Sequence, residues 1–445
     1  MRFAITTLGC KVNQYDSAAI AARLAAHGLE QCSFDEVADV YLVNTCTVTG
    51  RADAESLRLA RRARRLNPGA RVVMTGCLAQ ANPAVLARTH EVDAVVGIGR
   101  PGDLERAVTE GLPERVAVSN LRKERAPIDS FAVVLPGQTR AFLKVQEGCD
   151  QFCSFCVVPL SRGMSRSVAP RSVLEAVEEL AARGFKEITL SGVHLGGYGR
   201  DLDPPVELAG LLEMLAERSP ISRIRISSLD PEELSDRVIE VLATSDKFCP
   251  HLHLPLQSGE DATLVRMRRR YSTADYRTLR GRVLEGIPTA AVGTDLMVGF
   301  PGETPADFTR YLEFVASLPL AYFHVFPYSV RAGTTAAKFA ARVTAAEISR
   351  RAEALRELGE ERRRQFARRF TGHRLKVLFE EKRADGMLAG YSRNYLRVLA
   401  EGGDELKNHE VEIETSRARG AQLLGRIAGP GAQCEGRPAA QTASL

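Results

Sequence analysis

At 445 residues the chain is too long for one ordinary hydrophobic core, and the usual domain size divides it into about three. With 44% hydrophobic and 26% charged residues and no apolar run of about 18 residues, it has the composition of a globular chain and no membrane-spanning helix is expected. A net charge of +5 permits a polyanionic partner without demanding one. The start, MRFAITTLGC, lacks an export-signal pattern, so a cytoplasmic location is expected, and there the nine cysteines are read as metal or redox ligands before disulfides.

The first hundred residues alternate strands and helices. RFAITTL reads as a strand, Asp16 to His27 as a helix stopped by Gly28, and ADVYLVN as a second strand. Ser56 to Leu66 follows as a helix closed by Asn67-Pro68-Gly69, then RVVMTG and DAVVGIG as strands. The pattern predicts a small, mostly parallel α/β domain over residues 1–112. Residues near 100–137 carry Pro, Gly and charge without periodicity and read as a linker.

Six strand-like runs come next: AFLKVQ, EITLSGV, RIRISSL, HLHLPLQ, TDLMVGF and AYFHVFPYS. Amphipathic helices separate them, such as Val173 to Arg183, where Ser172 and Glu175 match a capping box. Six βα units predict a partial barrel within residues 136–370 rather than a closed eightfold one. Residues 335–371 read as a long basic helix trailing it. Residues 371–430 are strand-rich with turns between, which predicts a small β-barrel. Residues 431–445, including Cys434, lack a core pattern and read as a disordered tail. The expected fold class is α/β with a C-terminal β-barrel.

The sharpest chemical signal is Cys149, Cys153 and Cys156 in EGCDQFCSFCVVPLSRG, directly after the first barrel strand, where ligand-bearing loops belong. Three thiolates so close can hold three corners of a 4Fe-4S cluster and leave one iron open to a substrate. A zinc knuckle is the alternative, but structural zinc takes four protein ligands. No His lies near on either side, and the next downstream cysteine is Cys249.

This motif, with Phe155 before its last cysteine, resembles that of the radical S-adenosylmethionine superfamily. The resemblance implies that S-adenosylmethionine chelates the open iron through its amine and carboxylate, with its adenine near Phe155. Ser191 and Gly192, ending the second barrel strand, match the place where the superfamily binds the methionine amine. Gly299 to Glu303 (GFPGE), with Gly302 inside it, matches the adenosine-supporting turn.

Cys10, Cys46 and Cys77 are far apart in sequence, yet each immediately follows a predicted parallel strand: ITTLGC, YLVNTC and VVMTGC. The C-terminal ends of parallel strands share one sheet edge, so three thiols can converge there. Gly9 and Gly76 precede two of them and permit close backbone approach to a bulky group. The alternative is three packed core cysteines. Cys32 and Cys249 fit that structural role.

LGCKVNQYDS, VNTCTVT, TGCLAQ, GCDQFCSFCVVP, HLHLPLQSG and the Met-x-Arg-x-Tyr of RMRRRYS together resemble the methylthiotransferases, over residues 1 to about 428. GCKVNQYDS resembles the branch acting on N6-threonylcarbamoyladenosine next to the tRNA anticodon. Sister branches act on isopentenyladenosine in tRNA or on an aspartate of a ribosomal protein. Leu160 departs from the pattern, where an aromatic is expected. The resemblance implies two 4Fe-4S clusters and S-adenosylmethionine as cofactors. It further implies tRNA, a low-potential electron donor and a sulfur source as partners, with no membrane and no DNA. The cluster on Cys149, Cys153 and Cys156 would generate a 5′-deoxyadenosyl radical, and that on Cys10, Cys46 and Cys77 would carry the sulfur delivered to carbon 2 of adenine.

Basic charge is concentrated. Residues 350–376 carry ten Arg or Lys against four Glu, a local net of +6. Arg266, Arg268, Arg269 and Arg270 form a second run, and Arg58, Arg61, Arg62, Arg64 and Arg65 a third. Such runs suit phosphate contacts, or equally a solvated helix face with Glu–Arg pairs. The C-terminal barrel resembles the TRAM domain, with Tyr391, Arg393, Tyr395 and Arg397 as candidate RNA contacts.

Overall fold

The computed structural model describes residues 1–124, 128 and 139–429, in two units that part after Gly359. The expected tail with Cys434 and most of residues 125–138 lie outside them.

The first unit begins with a six-stranded parallel sheet, β2-β1-β3-β4-β5-β6, built from β1 (Arg2–Thr7), β2 (Glu30–Cys32), β3 (Val40–Thr45), β4 (Arg71–Gly76), β5 (Ala94–Val96) and β6 (Val116–Ala117). β3 is buried along its whole length, as befits a central strand covered on both faces. The helices are α1 (Lys11–Ala26), α2 (Gly50–Leu66), the short α3 (Cys77–Ala81) and α4 (Pro83–Ala87), and α5 (Pro101–Thr109).

Three expectations are corrected here. α1 starts at Lys11 rather than Asp16, because Cys10 is its extended N-cap and Asn13 is anchored by amide hydrogen bonds to the Leu8 and Thr45 carbonyls, 2.6 and 3.0 Å. α2 starts at Gly50 rather than Ser56, since the Thr49 hydroxyl accepts the Ala52 N–H at 3.2 Å. Part of the expected linker is folded: Pro101 opens α5, which buries Leu104, Ala107 and Val108, and β6 pairs with β5.

All six expected barrel strands form: β7 (Arg140–Glu147), β9 (Glu187–Gly192), β10 (Arg223–Ile226), β11 (His251–His253), β12 (Ala291–Val298) and β13 (Tyr322–Pro327). They run parallel in spatial order β7-β9-β10 and β11-β12-β13, and single bridges Ile224–Phe248 and Ser228–His253 join the two sets. A two-residue β8 (Arg166–Ser167) lies antiparallel beyond β7. The partial barrel is therefore observed.

The helices of this part are α6 (Val158–Ser161), α7 (Pro170–Ala182), α8 (Leu208–Arg218), α9 (Asp236–Thr244), α10 (Asp261–Arg266), α11 (Thr273–Gly286) and α12 (Pro305–Ser317). The expected capping box at Ser172 does not form, because Pro170 already starts α7 and puts Ser172 inside it. Capping boxes occur instead at Ser272–Asp275 and Thr304–Asp307. The expected long helix is α13 (Ala345–Arg369); residues 336–338 form a separate turn.

In the second unit β14 (Arg374–Lys382), β15 (Leu388–Ser392), β16 (Arg397–Ala400), β17 (Glu410–Arg419) and β18 (Gln422–Ile427) close a barrel in the order β14-β15-β16-β18-β17. Val377, Phe379, Leu388, Val398, Ile413 and Leu423 fill it without solvent exposure.

One buried ion group stands out in the larger barrel. Glu187 on β9 accepts from Arg223 and Arg225 on β10, with Nε–O distances of 2.9 Å, and all three are essentially inaccessible. Burial opposes its charge, but the two guanidiniums hold the Glu187 carboxyl down at about 2. Removing one partner leaves buried charge uncompensated, so Glu187→Gln is expected to cost about 3–5 kcal/mol in urea unfolding. Because the folded value is depressed, this contribution is complete above the unfolded value of about 4.3 and fades as pH falls toward about 2. A difference between wild type and Glu187→Gln that is the same at pH 7 and pH 3 would contradict this assignment.

Candidate functional site

Cys10, Cys46 and Cys77 follow β1, β3 and β4, three adjacent strands, and stand together at their C-terminal edge. Cys46 feels the charges of both Cys77 and Cys10, and Cys77 that of Cys10. Cys46 and Cys77 are buried, while Cys10 faces solvent. Glycine is required beside them: Gly9 has φ +96°, and a Cβ there would lie 2.8 Å from Cys46 Sγ. Gly76 has φ +89°, and a Cβ there would meet the Thr45 carbonyl oxygen at 2.5 Å.

Cys149, Cys153 and Cys156 occupy the loop after β7. The Cys149 N–H donates to Gly163 O and the Cys156 N–H to Cys153 O, both at 3.0 Å. The Ser154 hydroxyl donates to Arg266 O at 2.7 Å, which ties the loop to the end of α10. Phe152 takes a left-handed φ of 49°, a strained conformation that turns the chain between the first two cysteines. Each of Cys153 and Cys156 feels Asp230 and Arg269, and Cys149 feels both other thiols.

Burial pushes the Cys46 thiol up to about 11 and Cys156 to about 12, and it raises Cys77, Cys149 and Cys153 as well. Buried thiols of this kind become thiolates only against strong positive charge, which iron supplies. Among the described residues, ligand sets with all donor atoms within 4.8 Å are His253/Asp295/His324 and His194/Asp230/Glu233, not either cysteine triplet. A single tetrahedral zinc, with Zn–S near 2.3 Å, would draw its sulfurs to about 3.8 Å apart.

The other expected cofactor residues sit at strand ends and turns of the barrel. Phe155 packs on Phe300 edge-to-face, with centroids 6.5 Å apart. Ser191 and Gly192 end β9, and a Cβ on Gly192 would press on Gln146. Gly299 and Gly302 both have positive φ, and the buried Glu303 accepts the Gly299 N–H at 3.2 Å and pairs with Arg351, bracing the turn. A cleft of about 200 Å³ opens beside Phe155 and Cys156 and is walled by Gln257, Asp295, Met297 and Phe326. Its other wall is Val48 and Thr49, just beyond Cys46. One cleft thus touches both cysteine loops.

Sequence reasoning missed two arginines. Arg269, expected to contact phosphate, is mostly buried: it donates to Cys153 Sγ at 3.2 Å and pairs with Asp230. Arg162 donates to Cys77 Sγ at 3.3 Å. The Met-x-Arg-x-Tyr motif includes Arg269, but no local pattern shows that it meets Cys153 or that Arg162 meets Cys77, since these partners are more than eighty residues away.

Residues 2–97 match the uncharacterized protein family UPF0004, and residues 143–315 match the radical SAM superfamily. The threonylcarbamoyladenosine tRNA methylthiotransferase MtaB of Bacillus subtilis is 37% identical, covering 93% of this chain and 94% of its own. MtaB of Aquifex aeolicus is 38% identical, over 91% and 98%.

The chain belongs to the MtaB-like radical SAM methylthiotransferase family.

A tRNA-2-methylthio-N(6)-dimethylallyladenosine synthase from Jannaschia is also similar, 35% identical over 95% of this chain and 93% of its own. The radical S-adenosylmethionine methyltransferase TsrM from Kitasatospora setae shares the fold, with a TM-score of 0.56 at 16% identity over 73% and 74% of the two chains. The cofactors of this methylthiotransferase are 4Fe-4S clusters, two in number, and S-adenosylmethionine. Among the described residues no helix is long and apolar enough to cross a membrane.

The expected phosphate-binding runs are largely committed elsewhere. Arg58 pairs with Glu55, Arg62 with Asp35 and Arg64 with Asp93. Arg351 is buried against Glu303, while Arg363 and Arg364 pair with Glu360 and Glu361. In the second unit Tyr391 and Tyr395 stack at 4.9 Å, whereas Arg393 pairs with Glu410 and Arg397 with Glu381.

Gly76→Ala is expected to lower iron in anaerobically reconstituted protein from about eight to about four per chain, because the new methyl displaces the Cys77 loop. Iron analysis checks this, and a full complement would show that the left-handed turn is dispensable.

Proposed function

We propose that this methylthiotransferase inserts a methylthio group at carbon 2 of N6-threonylcarbamoyladenosine next to the tRNA anticodon. The observation that carries the reading is the single cleft walled by Phe155 and Cys156 on one side and by Val48 and Thr49 on the other. Carbon 2 of adenine carries an unactivated C–H bond that no side-chain base removes, so radical and sulfur must meet in one space. Cys149, Cys153 and Cys156 would hold the cluster that binds S-adenosylmethionine, and Cys10, Cys46 and Cys77 the second. Bound, these groups supply a hydrogen-abstracting radical and a transferable sulfur.

The protein's own contribution is placement. On the family resemblance, Phe155, Ser191, Gly192 and the turn from Gly299 to Glu303, with Gly302, would contact S-adenosylmethionine; of these Phe155 lines the cleft, together with Met297 and Phe326. The reading extends to three functional regions, residues 1–112, 136–370 and 371–430, to a cytoplasmic setting, and to a low-potential electron donor and a sulfur source as partners. The relative that makes 2-methylthio-dimethylallyladenosine supports isopentenyladenosine as the second substrate reading.

Cys153→Ala is expected to abolish 5′-deoxyadenosine formation, while Cys46→Ala retains cofactor cleavage and yields no methylthio product. Equal loss of both activities in a folded Cys46→Ala protein would count against separate roles. Mass spectrometry of tRNA nucleosides from a deletion strain decides the substrate: loss of the methylthio group from threonylcarbamoyladenosine supports the reading, and loss only from isopentenyladenosine overturns it.

The second unit supplies a stacking candidate in Tyr391 and Tyr395. Each stacked base is worth about 1–3 kcal/mol, so the double alanine variant is expected to weaken tRNA binding by about tenfold or more in a filter-binding assay. Unchanged affinity would remove these rings from the RNA surface.

A further inference from the structure

Arg162 lies on the segment just beyond Cys156, yet its guanidinium serves the other triplet. Only 2% of it is accessible. Its Nε donates to Cys77 Sγ at 3.3 Å, its Nη1 to Glu147 Oε1 at 2.7 Å, and its Nη2 to Asp16 Oδ2 at 2.9 Å and to Asn13 Oδ1. Lys144 closes the group by donating to Asp16 and Glu147 at 2.7 and 2.8 Å. Two cations thus balance two carboxylates. The side chain is held from three directions, and the planar fork leaves Nε one orientation, toward sulfur.

Three thiolates around a 4Fe-4S core would carry a net negative charge, and in a buried setting that charge costs solvation unless oriented N–H donors face the sulfurs. Hydrogen bonds to ligand sulfurs raise reduction potentials by favouring the more negative, reduced cluster. Guanidinium keeps its proton at every working pH, so an electron enters the cluster with no accompanying proton.

We propose that Arg162 is a positioning residue for the cluster on Cys10, Cys46 and Cys77: its Nε–H donates to the Cys77 sulfur, raises that cluster's reduction potential and ties it to the barrel loop that carries the other triplet. The inference rests on the cluster assignment under the proposed function. Its consequence is that the chain itself sets the poise of the sulfur-carrying site, through a residue from the part of the chain that binds the other cluster.

The test uses full-length protein with Cys149, Cys153 and Cys156 changed to Ala, which leaves one cluster, reconstituted anaerobically from cells grown on ¹⁵N-arginine. After reduction with dithionite, pulsed EPR is expected to detect one ¹⁵N coupling that disappears in Arg162→Lys. In redox titrations the midpoint is expected to become more negative in Arg162→Gln, with Arg162→Lys between it and the parent. No cluster signal in the parent overturns the cluster assignment itself. A signal without ¹⁵N coupling, a coupling that survives Arg162→Lys, or an unmoved midpoint overturns the role of Arg162. If Arg162→Gln does not fold, the coupling in the unsubstituted protein still decides.

Discussion

The buried group of Arg162, Lys144, Asp16 and Glu147 joins the N-terminal sheet to the barrel. Asp16 lies on α1, Lys144 and Glu147 lie on β7, and Arg162 follows α6, so four charges from two folding motifs satisfy one another. A buried set of this kind adds little stability over an apolar one, yet it punishes any misalignment severely. Precision is its use here: a shift of α1 along β7 would strip Asp16 from both Lys144 and Arg162 and leave their charges unbalanced. The two motifs are also joined by Arg331, which donates to Asp53 at 2.6 Å and to the Thr47 carbonyl at 3.2 Å. Asp53 and Thr47 flank the start of α2, immediately after Cys46. Both cysteine loops are therefore held in a common frame, and the cleft between Val48 and Cys156 follows from it.

Local backbone conformation completes what the charges begin. Left-handed residues gather at the cysteine loops: Gly9, Gly76, Gly148 and Gly163, with Phe152 between the first two barrel cysteines. At Gly148 a Cβ would collide with the Met164 backbone. Side chains are excluded so that backbone can turn tightly around a bulky inorganic group. Burial raises the thiols of Cys46, Cys77, Cys149, Cys153 and Cys156, which couples cluster assembly to proton release.

The basic runs are partly answered by glutamates of their own helices. A local net of +6 in residues 350–376 suggested a phosphate-binding face, but many of these arginines pair with glutamates one helical turn away, and Arg351 points inward. Arg269 likewise belongs to the cluster loop rather than to solvent. Nucleic-acid contact is better supported by the stacked tyrosines of the small barrel than by charge density.

Much of the fold was legible. Every expected barrel strand formed, because alternating apolar runs bounded by turn residues can bury themselves in few ways. The convergence of Cys10, Cys46 and Cys77 was also legible, since parallel strands end on one edge whatever their spacing in sequence. Helix starts were less so: Lys11 to Tyr15 is a poor helix by propensity and is held by Asn13 reaching other strands. The partners of Arg162, Arg269 and Glu303 were not legible in sequence, although GFPGE and Met-x-Arg-x-Tyr had marked the last two. A thiol triplet after a strand is a local pattern that sequence by itself determines, whereas a guanidinium finding its sulfur across eighty residues depends on three-dimensional neighbours that only the tertiary structure brings within hydrogen-bonding reach.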